Sequence, residues 1–196
     1  MNCVCLIGRP NVGKSTLFNR LIKEDKSIIM DTPGITRDRI YGNVLHKDKK
    51  FLLVDTGGID LGNDDFNKDI QVQASLAVDE ADIIVFVVDG RFELNQNDYA
   101  IRDMLIKSGK RVIVAVNKLD NPKLEQELIY NFYELGFEEV IGISATHNIG
   151  VSELLDKIVA DMPDSVEIEN DNLKFSIIGR PNVGKSSLIN ALLNSK

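Results

Sequence analysis

Gly8-Arg9-Pro10-Asn11-Val12-Gly13-Lys14-Ser15 decides the fold, and it occurs twice: Gly179-Arg180-Pro181-Asn182-Val183-Gly184-Lys185-Ser186 repeats it letter for letter. Each copy fits G-x-x-x-x-G-K-[ST]. Each follows an apolar run, Val4-Cys5-Leu6-Ile7 or Phe175-Ser176-Ile177-Ile178. Each opens a helical pattern, Thr16-Leu17-Phe18-Asn19-Arg20-Leu21 or Ser187-Leu188-Ile189-Asn190-Ala191-Leu192. A glycine-rich turn between strand and helix aims successive N–H groups at one point, and the helix N-terminus adds its dipole there. Lys14 can then reach β- and γ-phosphates, and the hydroxyls of Ser15 and Thr16 follow at the helix start, Ser15 as a ligand for Mg²⁺. The repeat implies one nucleotide-binding domain over residues 1–161, an acidic linker over 162–172 and the opening of a second domain over 173–196. No second D-x-x-G or N-K-x-D follows Lys185 and Ser186, so one nucleotide per chain is expected.

Working outward, β-rich runs at 2–7, 51–54, 83–88, 111–116 and 139–143 alternate with helical patterns near 14–23, 66–79, 96–108, 122–135 and 151–161. That alternation predicts a P-loop α/β fold, a mostly parallel six-stranded sheet with helices on both faces. One antiparallel strand, about 40–47, is expected beside 50–55, turning at Lys47-Asp48-Lys49-Lys50. Gly109 and Gly136 mark helix ends.

Composition narrows the function classes. The 196 residues carry a net charge of −7, which gives no basic footprint for nucleic acid. No apolar run approaches the roughly 20 residues of a membrane span, and no signal segment follows Met1. Cys3 and Cys5 are too few for a metal site and sit on one strand face, unsuited to bridging each other. A reduced, cytoplasmic setting is expected.

Three further stretches carry chemistry. Asp55-Thr56-Gly57-Gly58-Ile59 ends the run Phe51-Leu52-Leu53-Val54. A carboxylate there can hold Mg²⁺ through water, and the Gly58 N–H can sense a γ-phosphate. Asp31-Thr32-Pro33-Gly34 also fits D-x-x-G, but follows only a short apolar run. In the intervening loop Thr36 is the candidate to close over Mg²⁺ and the γ-phosphate. Asn117-Lys118-Leu119-Asp120 follows another strand. The Asp120 carboxylate can accept from N1–H and N2–H₂ of guanine, a pair adenine lacks. Asn117 would brace the loop and the Lys118 stem would lie on the base. Ser144-Ala145-Thr146 follows the last strand, where the Ala145 N–H could meet guanine O6. His147 is expected to be solvated, and His46 is assigned no role.

Together, in this order, these motifs resemble those of translation-factor-like P-loop GTPases. The doubled loop, Gly34-Ile35-Thr36-Arg37-Asp38-Arg39 and Asp55-Thr56-Gly57-Gly58-Ile59 are similar more specifically to the Der (EngA) family of bacterial ribosome-assembly GTPases. The resemblance spans the chain and implies an N-terminal fragment of a tandem protein. It implies GTP and GDP as ligands, Mg²⁺ as cofactor and the large ribosomal subunit as partner. Many GTPases carry a water-positioning glutamine where this chain has Ile59, so turnover is expected to be slow. Asn11 resembles a K⁺ ligand in related GTPases, and a K⁺ bridging the phosphates would supply positive charge. The catalytic candidates are therefore Asn11, Lys14, Thr36 and Gly58. Competing readings are a guanine-nucleotide-sensing module with negligible hydrolysis, or another ribosome- or tRNA-linked GTPase.

Overall fold

Strands that are apolar on both sides need cover on both faces, and the sheet provides it. The computed structural model describes residues 2–24, 29–30, 40–56 and 77–162. The chain divides into two units, Met1–Ser165 and Val166–Lys196, and all described residues belong to the first. Its strands are β1 (Asn2–Ile7), β2 (Ile29–Met30), β3 (Ile40–His46), β4 (Lys49–Asp55), β5 (Ile83–Asp89), β6 (Arg111–Asn117) and β7 (Glu139–Gly142). Its helices are α1 (Lys14–Glu24), α2 (Gln96–Ser108), α3 (Pro122–Asn131) and α4 (Val151–Val159), with a 3₁₀ turn at Phe132–Leu135.

The sheet order is β2-β3-β4-β1-β5-β6-β7. β1 pairs in parallel with β4 and β5, and β5-β6-β7 continue in parallel. β3 alone runs against its neighbours, antiparallel to both β2 and β4. The six expected strands are all present, and the two-residue β2 adds a seventh at the edge. The hairpin turn is tighter than its sequence suggested. Lys47 and Asp48 both take positive φ (47° and 61°), as in a two-residue primed turn, so Lys49 already belongs to β4.

Alternation along the strands sorts the core into two layers. Val4, Leu6, Leu53 and Val85 meet Phe18 and Leu21 of α1 and Leu154 and Ile158 of α4. Cys5, Ile7, Ile84 and Phe86 meet Ile101 and Leu105 of α2 together with Phe132 and Leu135. Each such side chain contributes roughly 1.5–3 kcal/mol on full burial. Gly42 of β3 matters because a Cβ there would run into Ile22 and Phe18, which seat α1 on the strand.

The helix expected over 122–135 is broken at Asn131. A 3₁₀ turn aligns residues three apart, which turns Phe132 and Leu135 into the core together before Gly136 caps the turn at φ 79°. Of the helix expected over 66–79, only residues from 77 onward are described; 77–80 are helical. Cys5 is buried and Cys3 partly so, on the same sheet face. Among the described residues no helix is long and apolar enough to cross a membrane.

Candidate functional site

β1 ends at Ile7 and α1 begins at Lys14, so residues 8–13 form the loop between them. Asn11 and Gly13 take positive φ, 64° and 97°. Space as well as torsion demands glycine. A Cβ on Gly8 would strike the Val87 carbonyl, and one on Gly13 would strike the Asn117 amide. Val12 is fully buried and anchors the loop, while Asn11 is exposed at its rim. Lys14 is 8% exposed, and its Nζ donates to the carbonyls of Gly8 and Arg9, each at 2.8 Å. Burial pulls this ammonium down to about 8; nearby Asp55 opposes the shift and Arg9 adds to it. A buried cation against its own loop carbonyls is disposed to accept anionic oxygens.

Asp55 ends β4 opposite Leu6 of β1 and is buried. Thr56 follows, its Oγ1 donating to the Leu6 carbonyl at 2.8 Å, which ties this strand end to the loop's entry. Ser15 stands exposed at the start of α1. Among the described residues no three His, Cys, Asp or Glu side chains form a metal cage. That donor set fits Mg²⁺, which keeps water and takes one carboxylate, a hydroxyl and phosphate oxygens. It does not fit a zinc site.

Asn117 ends β6 and bridges two loops. Its Nδ2 donates to the Val12 carbonyl at 2.8 Å, and its Oδ1 accepts from the Ala145 N–H at 3.0 Å. The Ala145 N–H expected to meet a base carbonyl is therefore engaged by Asn117; the bracing of the two loops against each other takes that donor. Lys118, with φ 71°, donates to the Asn11 carbonyl and, at 2.8 Å, to Asp89. Asp120 is 59% exposed and accepts from Ser144 Oγ at 2.7 Å. His147 is exposed, as expected, with its Nε2 3.8 Å from Asp120 Oδ1. Thr146 is held through its carbonyl, which accepts from Arg20 at 2.8 Å. The structure thus gathers the 8–15 loop, Asp55, Asn117–Asp120 and Ser144–Thr146 at the carboxyl ends of β1, β4, β6 and β7, where open α/β sheets bind ligands.

Three positions in contact with these loops were not read from the sequence. Asp89, at the end of β5, accepts from Arg91 N and Nε at 3.1 Å and from Lys118. Burial pushes its carboxyl up, but the Arg91 and Lys118 hydrogen bonds outweigh this and leave it at about 2. Arg20, from α1, donates to the carbonyls of Ala145 and Thr146. Asp98, at the start of α2, is fully buried and accepts from Arg9 Nε at 3.2 Å. A carboxylate terminating an apolar strand was the available signal for Asp89, the same signal that marked Asp55. Away from this end, His46 bonds to Asp156 of α4 at 2.6 Å and Lys47 pairs with it at 2.7 Å.

Thr36, Asp31, Gly57, Gly58, Ile59, residues 163–172 and the second loop Gly179–Ser186 lie outside the described residues.

A profile of the family described as 50S ribosome-binding GTPase matches residues 3–118 and, separately, 174–196. GTPase Der of Ligilactobacillus salivarius is 52% identical over 191 residues, covering 97% of this chain and 44% of that protein. GTPase Der of Oceanobacillus iheyensis is 50% identical over 193 residues with the same coverage. The chain thus spans less than half the length of the curated relatives it matches. Among solved structures, a variant of Aquifex aeolicus Era bound to GDP·AlF₄⁻ superposes with a TM-score of 0.68 at 27% identity, over 90% of this chain and 63% of that one. The G domain of the Thermotoga maritima FeoB iron transporter gives 0.61 at 29% identity, over 82% and 98%.

Proposed function

Because the chain belongs to the family of 50S ribosome-binding GTPases, we propose that it binds GTP and GDP and hydrolyses GTP as a cytoplasmic switch in large-subunit assembly. The observation that carries this reading is the joining of two loops by one side chain, Asn117 bonded to both Val12 and Ala145. It couples a phosphate-holding turn to a base-reading one.

In this reading residues 8–13 and Lys14 cradle the phosphates. Ser15 and Asp55 hold Mg²⁺, joined by Thr36, and the ion when bound neutralises charge on the β- and γ-phosphates. Asp120, oriented by Ser144, accepts both edge donors of guanine, while Lys118 lies against the base. The likeness to GTPase Der supports the ribosomal role, and the second family match at 174–196 supports a first G domain over 1–161, a linker and the start of a second. Ile59 cannot orient water, so intrinsic turnover is slow. Asn11, exposed at the loop's rim, is the candidate K⁺ ligand that raises it.

Calorimetric titration tests the binding step: GDP binds with one site per chain, ADP binds at least a hundredfold more weakly, and Asp120→Asn shifts preference toward xanthine nucleotides. Retained guanine preference in that variant would remove Asp120 from its role. Single-turnover hydrolysis tests the second step: K⁺ accelerates it over Na⁺, and Asn11→Ala abolishes the difference.

A further inference from the structure

We propose that Asp98 is a positioning residue for the phosphate loop and that it acts through Arg9. The inference rests on the nucleotide-binding reading above.

Asp98 lies 89 positions from Arg9 in sequence and is fully buried. Burying a carboxylate costs several kcal/mol unless partners compensate. Helix capping explains part of its presence. Asn95 Oδ1 accepts from the Asp98 N–H at 3.2 Å, and the Asn95 N–H donates back to Asp98 Oδ2 at 3.1 Å. An uncharged glutamine can make such a capping box, so capping alone does not require the charge. What the charge adds is Arg9, whose Nε reaches the same Oδ2 at 3.2 Å. The carboxylate's other oxygen, also buried, has no hydrogen-bond partner among the described residues.

Arg9 is in turn wired to the site. Its carbonyl accepts from Lys14 Nζ at 2.8 Å. The contacts therefore run from the Asp98 carboxylate to the Arg9 side chain, and from the Arg9 carbonyl to the Lys14 ammonium. Asn117 and Lys118 hold the far half of the loop at Val12 and Asn11. Asp98, at the start of α2, holds the near half at Arg9. With both halves fixed, the peptide between Arg9 and Pro10 keeps its orientation, and so does Lys14.

The test is a double-mutant cycle on the full chain, read as GDP dissociation constant and single-turnover GTP hydrolysis. Asp98→Asn and Arg9→Ala each weaken GDP about tenfold, the scale of a hydrogen bond between charged groups. The double variant is no weaker than the worse single. Arg9→Lys recovers most of the loss, but only while Asp98 is present. Asn95→Ala, which removes the cap and not the Arg9 contact, lowers the melting temperature while leaving affinity within about twofold. Additive losses, or wild-type affinity in folded Asp98→Asn, would overturn the coupling. If Asp98→Asn does not fold, equal losses in Arg9→Ala and Arg9→Lys would overturn it instead. A wild-type chain that binds no guanine nucleotide would sink the functional reading and this inference with it; a wild-type chain that binds, with an additive cycle, sinks this inference alone.

Discussion

Two carboxylates in this molecule each hold a pair of basic side chains, in opposite surroundings. Asp89, at the carboxyl end of the sheet, holds Arg91 and Lys118, and its side chain is 4% exposed. Asp156, on α4, holds His46 at the end of β3 and Lys47 of the following turn, and its side chain is 43% exposed. The distances are similar; the water is not. Around Asp156, solvent screens the charges and competes for every hydrogen bond, so the pairing contributes little. Around Asp89 the carboxylate itself is buried, so losing either basic partner, exposed though Arg91 is, leaves that charge short of compensation. The same ionic arrangement acts as a fastening where the chain has excluded water and as surface decoration where it has not.

The largest expected effect is that of Asp89→Ala. It frees Lys118 and with it the Asn11 carbonyl contact, costing about 2 kcal/mol in urea unfolding, the scale of hydrogen bonds to a charged group, and at least tenfold in GDP affinity. A loss below about 1 kcal/mol, the range of exposed pairs, would erase the distinction just drawn.

Next in size is acid sensitivity. The folded Asp89 carboxyl lies at about 2, below its ordinary 3.8. Its stabilisation is thus fully present above the ordinary value and is lost as pH falls through about 2. Between those values wild type should lose on the order of 1–2 kcal/mol that Asp89→Asn, already weaker at neutral pH, does not lose. Parallel unfolding curves for both proteins between pH 5 and about 2 would contradict this.

Arg20→Ala separates holding the site from holding the domain. It removes two hydrogen bonds to the carbonyls of Ala145 and Thr146, worth about 1–2 kcal/mol together. GDP affinity should fall about fivefold to tenfold, and the urea midpoint should drop less than in Asp89→Ala. The smallest effect is that of Asp156→Asn, for which both the midpoint and GDP affinity should stay within experimental scatter. A clear drop in either would mean that the hairpin clamp matters more than its exposure implies.

The local strings were legible and the long-range fastenings were not. The loop at Gly8–Ser15, the strand end at Asp55 and the run Asn117–Asp120 each carry their meaning within a few residues. Strand positions followed from the apolar runs, because strands buried on both faces leave a continuous hydrophobic signature; the order of the strands in the sheet did not. Arg20 and Ala145, by contrast, stand 125 positions apart, and nothing near either one announces the other. Asp98 looks like an ordinary acidic residue in a helix's first turn, and its capping box disguises a second partner. The bond from the Ala145 N–H to Asn117, at the end of β6, was invisible for the same reason. The two-residue β2 was missed because so short a segment has no period to read.

Helix α1 has a consequence for ligand size. Lys14 stands at its first residue and Arg20 less than two turns on, about 9 Å along the axis at the usual rise. At one end Lys14 meets the carbonyls of Gly8 and Arg9, and further along Arg20 meets those of Ala145 and Thr146, so one rigid rod ties the two loops. On the proposed nucleotide reading, a nucleoside monophosphate, lacking the second phosphate, forgoes the Lys14 end of that rod and keeps only the other.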